Sequence, residues 1–89
     1  MIEQSVLIQN RLGLHARASA AFATTAGKFH SEIGLRKGDM QVNGKSIMGI
    51  MMLAASKGTH LMLSTDGEDE QAAMQALVGL LADCFGEPD

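Results

Sequence analysis

The chain has 89 residues, a net charge of −3 and a single cysteine, Cys84. That is the length of one small domain, 1–89, with room for a core but little stability in reserve. The seven basic residues are scattered from Arg11 to Lys57 and form no stripe, which argues against nucleic acid as the main partner. One cysteine makes neither an internal disulfide nor a thiolate metal cluster, no signal peptide is visible, and the longest strongly apolar stretch, Ile47 to Ala55, falls far short of the ~20 residues of a membrane span. A soluble cytoplasmic protein is expected.

Ile2, Gln4, Val6 and Ile8 share one face of a period-two run, so residues 2–8 predict a first strand. Asn10 to Leu14 is a loop. Residues 16–27 are alanine-rich, carry Phe22, Ala23 and Ala26 on one side, and end at Gly27, as a first helix with a glycine stop would. Ile33 and Leu35 alternate with polar neighbours in a second strand. Lys37-Gly38-Asp39 turns the chain into a short third strand at Met40 and Val42. After Asn43-Gly44-Lys45, Ser46 reads as the N-cap of a helix from Ile47 to about Ser56, closed by Gly58.

Leu61 and Leu63 mark a fourth strand, and Asp66-Gly67 turns the chain again. Residues 69–85 carry Ala73, Met74, Leu77, Leu80, Leu81 and Cys84 at three- and four-residue spacing, which predicts a last amphipathic helix with Cys84 buried and inert. Glu68, Asp69 and Glu70 stand where they complement its N-terminus. Gly86-Glu87-Pro88-Asp89 is expected to be a frayed tail. The order βαββαβα predicts a two-layer α/β sandwich, antiparallel strands with helices laid on one face.

The residues that carry chemistry are few. His15 stands where the Asn10–Leu14 loop breaks into the first helix, with Arg17 two residues on. Free backbone N–H groups and the positive end of the macrodipole meet there. One reading is a surface histidine capping a helix beside a solvated arginine. The other is a site that holds a phosphoryl group on the imidazole, with the N–H groups and Arg17 stabilising the added charge. A helix N-terminus disfavours imidazolium, which suits a neutral nucleophile. No carboxylate lies between Asn10 and Lys28, so a Ser/His/Asp hydrolase triad has no local support.

Ser46 is explained by N-capping alone, and a phosphate added there would also be tolerated by the helix dipole. The second helix is apolar nearly all round. Ile47, Ile50, Leu53 and Ala54 can fill its core side, while Met48, Met51, Met52 and Ala55 point elsewhere, in part as an adaptable docking surface. Gly44-Lys45-Ser46 imitates the end of a Walker A loop, but the earlier glycine would fall at Asp39 and the match fails. His30 and His60 have no metal-ligand spacing and are expected at exposed or edge positions. No metal or cofactor is expected.

Three segments carry a resemblance: Gly13-Leu14-His15-Ala16-Arg17, then Asn43 to Leu53, then Gly67-Glu68-Asp69-Glu70. Over essentially the whole chain they resemble the HPr family, the histidine-containing phosphocarriers of the bacterial phosphoenolpyruvate-dependent phosphotransferase system. The resemblance implies an open-faced sandwich with strand order 1-4-2-3 and three helices on one face. It implies that His15 accepts a phosphoryl group on Nδ1 from enzyme I and donates it to a histidine of an enzyme IIA domain, with Arg17 holding the phosphate. Ser46 would be the regulatory site of an HPr kinase/phosphorylase, where the organism has one. Leu12, Ala16, Ala20, Ile47, Met48 and Met51 would dock partners, and a monomer suits such a shuttle.

Many members of the family carry proline directly after the arginine, where this chain has Ala18. Proline is pre-organised for a helix start, but alanine is the best helix former, so the helix is expected to survive. The methionine-rich second helix also resembles the nitrogen-branch, NPr-type phosphocarriers. That leaves a nitrogen-branch carrier, or a regulatory binding protein switched at Ser46, as the alternatives.

Overall fold

The computed structural model describes residues 1–87, so Pro88 and Asp89 of the expected tail lie outside the described residues. The elements run β1 (Ile2–Leu7), α1 (Ala16–Ala26), β2 (Glu32–Lys37), β3 (Met40–Asn43), α2 (Ile47–Met52), β4 (His60–Asp66) and α3 (Glu70–Ala82), followed by a 3-10 turn at Cys84–Gly86. The four strands pair antiparallel in the order β1-β4-β2-β3. With the helices packed over one face, this is the two-layer sandwich expected from the pattern, in the open-faced form and strand order that the family resemblance implies. None of the described helices is long and apolar enough to cross a membrane.

The alternation of β4 shows why the sheet has two unlike faces. Leu61, Leu63 and Thr65 are buried while the residues between them are not, as a period of two requires. Val6 sits opposite Leu61 and Leu35 opposite Leu63, so the register places the apolar residues of three strands on the helix side. Ala18, Phe22 and Ala26 of α1, Ile50 of α2, and Ala73, Leu77 and Leu81 of α3 close over them. Of the apolar face expected over residues 2–8, Val6 and Ile8 are buried, Gln4 is exposed and Ile2, at the start of β1, is partly covered; Ile8 lies just beyond the strand.

Both later helices are shorter than their sequence patterns suggest. α2 ends at Met52, not near Ser56, because Ala54 takes a left-handed conformation (φ 50°) that turns the chain. Two of the residues beyond the helix and one at its start lie on faces other than those assigned. Ile47 and Ala54 are exposed, whereas Ala55 is buried. α3 stops at Ala82, and Cys84 and Phe85 both adopt positive φ (53° and 58°). Phe85 thereby folds back into the core, and Cys84 leaves the apolar stripe and is half-buried instead of fully buried.

Asp69 stands at the N-cap of α3, where its charge complements the helix N-terminus as expected. It makes no side-chain cap on α3. Its carboxylate instead accepts from the backbone N–H of His30 (2.8 Å) and Ser31 (2.9 Å) and from the Ser31 hydroxyl (2.5 Å), tying the start of α3 to the segment before β2. Glu70 reaches back to the Gly67 N–H (3.1 Å) in the manner of a capping box and pairs with the Met1 ammonium (3.4 Å).

The Ser31 hydroxyl and the His30 and Ser31 N–H groups favour the ionised form and hold Asp69 at about 2, below its ordinary 3.8. A depressed folded-state value stabilises the fold above the ordinary carboxylate range, and the contribution is lost as pH falls through the folded value. The stability advantage of the parent over Asp69→Asn, read from urea midpoints, should therefore be full above about pH 5 and shrink towards pH 2. A gap that stays constant with pH would contradict this linkage. Ala54 is exposed and left-handed, so Ala54→Gly should raise stability by about 0.5–1 kcal/mol, the relieved strain exceeding the added chain entropy. A lowered urea midpoint would show that Ala54 is unstrained.

Candidate functional site

The loop after β1 is built by a buried amide. Asn10 is fully buried and donates from Nδ2 to the Gly13 carbonyl (2.8 Å). The Gly13 N–H returns a bond to the Asn10 carbonyl (3.2 Å). Gly13 lies at φ +69°, and a Cβ there would stand 2.5 Å from the Ala55 carbonyl oxygen. Only glycine allows the loop to pass so close to the segment after α2. The adjacent Leu14 N–H then donates to that same carbonyl (2.9 Å), and the Leu14 side chain is buried.

His15 is the N-cap of α1, extended at φ −76° and ψ 179°. Its side chain does not cap the helix, so the imidazole is available for other partners. The Ser19 N–H bonds the His15 carbonyl (2.9 Å) and starts the helical ladder, which leaves the N–H groups of Ala16, Arg17 and Ala18 ahead of it. Ala18, in place of a proline, is fully buried and helical. Arg17 is exposed on the first turn.

The residue missing from the local sequence is Glu87. It lies 72 positions after His15, yet its Oε2 is 2.6 Å from His15 Nε2. Its Oε1 accepts from Asn10 Nδ2 (3.0 Å), and its side chain is only 10% exposed, against 29% for His15. At Glu87, therefore, the expected tail is not frayed. The positive-φ turn at Cys84 and Phe85 carries Glu87 back over the loop, and its N–H bonds the Cys84 carbonyl (2.9 Å). No pattern of spacing announces this contact.

The Asn10 amide, the His15 ring and the Arg17 charge all favour the ionised form of Glu87, and together they outweigh its partial burial. An ionised carboxylate only accepts, so Nε2 is the donor in the His15–Glu87 bond. In the neutral ring the lone pair then resides on Nδ1. The orientation of Asn10 is fixed by the same logic, because its two acceptors require the NH2 group. Its Oδ1 is left without a partner among the described residues.

Ser46 caps α2 as expected, its Oγ accepting from the Gly49 N–H (3.0 Å). The residues expected to dock partners are mostly exposed. Leu12 (59%), Ile47 (43%), Met48 (76%) and Met51 (42%) are exposed, Ala16 is exposed and Ala20 is half-buried. Met52, at 67%, belongs to the same exposed set. His30 and His60 are exposed and take no part in the His15 site; only the backbone N–H of His30 is used, by Asp69.

Fold and site together define an HPr-type α/β sandwich with a histidine at the start of its first helix. The family described as PTS HPr component phosphorylation site matches residues 2–83, and the chain belongs to the HPr family. A phosphocarrier protein HPr of Neisseria meningitidis serogroup B is 59% identical over 87 residues, covering 98% of each chain. That of Cupriavidus necator is 52% identical over the same share. Among solved structures, HPr-C-His from Thermoanaerobacter tengcongensis superposes with a TM-score of 0.96 at 48% identity, covering all of both chains. The HPr dimer of the same organism gives 0.79 at 49% identity, covering 98% of this chain and 100% of that one.

Proposed function

We propose that this chain is a phosphoryl shuttle of the phosphotransferase system and has no catalytic turnover of its own. His15 accepts a phosphoryl group on Nδ1 from phosphorylated enzyme I and gives it to a histidine of an enzyme IIA domain. The observation that carries this reading is the state of the His15 ring: Nε2 is engaged by Glu87 and the ring is part-exposed. Nδ1 is thereby the nitrogen with the free lone pair. The N–H groups at the start of α1 and the Arg17 guanidinium supply positive charge for the phosphate.

Partners would dock on Leu12, Ala16, Ala20, Ile47, Met48 and Met51, a mostly exposed apolar surface suited to more than one protein. The carrier works as a cytoplasmic monomer of one domain, 1–89, without metal or cofactor. Phosphoenolpyruvate and purified enzyme I should place one acid-labile phosphate on the parent and none on a folded His15→Ala variant, read by intact mass. Full labelling of His15→Ala would end the reading.

A second reading rests on Ser46, which caps α2 directly beside Ile47 and Met48. A phosphate added there by an ATP-dependent HPr kinase/phosphorylase would replace the cap and put about −1.5 to −2 charges beside the apolar surface. The chain would then act as a regulatory binding protein, in a sugar or a nitrogen branch, with transport secondary. Ser46→Asp should weaken enzyme I binding by about tenfold or more through desolvated charge at the docking surface, read by calorimetric titration. Unchanged affinity for every partner would count against a switch at Ser46.

A further inference from the structure

We propose that Glu87 is a positioning residue for phosphoryl transfer: it holds the Nε2 proton of His15 through the whole cycle. The inference deepens the reading of His15 as phosphoryl acceptor and rests on it. Three features make the contact a built one. The Nε2–Oε2 distance is 2.6 Å. The second carboxylate oxygen is clamped by Asn10, a residue with no exposed surface. Asn10 also holds the Gly13 carbonyl, so one amide fixes both the carboxylate and the loop that presents His15. Glu87 itself lies beyond the residues that define the family match.

The chemistry gives this arrangement a purpose. On acceptance, the Nδ1 lone pair forms a bond to phosphorus while the donor's P–N bond breaks and its electron pair returns to the donor nitrogen. On donation, the acceptor nitrogen bonds phosphorus while the Nδ1–P bond breaks and its pair stays on Nδ1. If the Nε2 proton is retained, the departing ring is neutral imidazole. If it is lost, the ring must leave as imidazolate, a far poorer leaving group. A carboxylate that accepts from Nε2–H keeps that proton in place in both directions without consuming or releasing one. It also fixes the plane of the ring, so that Nδ1 keeps one aim towards both partners.

The test uses the full chain and its Glu87→Ala and Glu87→Gln variants. In proton–nitrogen spectra the unphosphorylated parent should show a His15 Hε2 resonance slowed in its exchange with water, and Glu87→Ala should lose it. In transfer from the phosphorylated chain to an enzyme IIA domain, Glu87→Ala should lower kcat about tenfold with KM for that domain unchanged. Glu87→Gln, with one oxygen for two donors, should fall between. A structural role alone would not separate kcat from KM in this way. Transfer by Glu87→Ala at the parental rate, or a parent without a protected Hε2, would overturn the proposal. A parent that shows the Hε2 signal but takes no phosphate from enzyme I overturns the carrier reading while leaving the Glu87 contact in place, whereas a parent that takes phosphate but passes it on only as fast as Glu87→Ala does overturns this inference alone.

Discussion

The buried amide of Asn10 is the constraint on which the rest of the site depends. Its two N–H bonds go to groups that are far apart in sequence, the Gly13 carbonyl and the Glu87 carboxylate. The first shapes the loop that ends in His15. The second holds the carboxylate that engages the imidazole. The same orientation leaves Asn10 Oδ1 without a partner among the described residues.

The His15–Glu87 pair has the geometry of two members of a hydrolytic triad, but the histidine itself is the proposed nucleophile. Ser19 is the nearby hydroxyl along the chain, and it is buried and donates to the Leu14 carbonyl (3.2 Å). It is therefore held as a structural group and is not presented for attack. The carboxylate engages the ring at Nε2, away from the nitrogen assigned to phosphorus, where it does not add its charge to the transfer itself. The electrostatics at the site pull in two directions, the α1 N-terminus and Arg17 favouring an anion while Glu87 favours a protonated Nε2. Both tendencies suit a phosphorylated imidazole that keeps its second proton.

Much of the fold was legible from period and punctuation. The four strands and three helices follow from alternation, from apolar spacing and from the caps at Ser46 and the turn at Gly67. The strand order came from the resemblance to a family, since antiparallel pairing alone allows other orders. The placement of His15 and Arg17 at the start of α1 was legible because loop, histidine and helix are contiguous. What escaped the sequence depends on backbone at unexpected positive φ. Ala54 cuts α2 short and reverses the assignment of Ala54 and Ala55, while Ile47, at the start of the helix, is exposed. Cys84 and Phe85 end α3 and return Glu87 to the site, where a frayed tail was expected. Alanine, cysteine and phenylalanine carry no turn signal, and a contact over 72 positions has no periodicity to reveal it.

The central claim is that the fold engages Nε2 of His15 and leaves Nδ1 for phosphorus. The most direct measurement is the site of attachment in the chain phosphorylated by enzyme I, read by phosphorus–nitrogen correlation on protein labelled with nitrogen-15 at histidine. Phosphorus should be bonded to Nδ1 of His15 with Nε2 still carrying its proton. Phosphorus on Nε2, or on another residue, would contradict it.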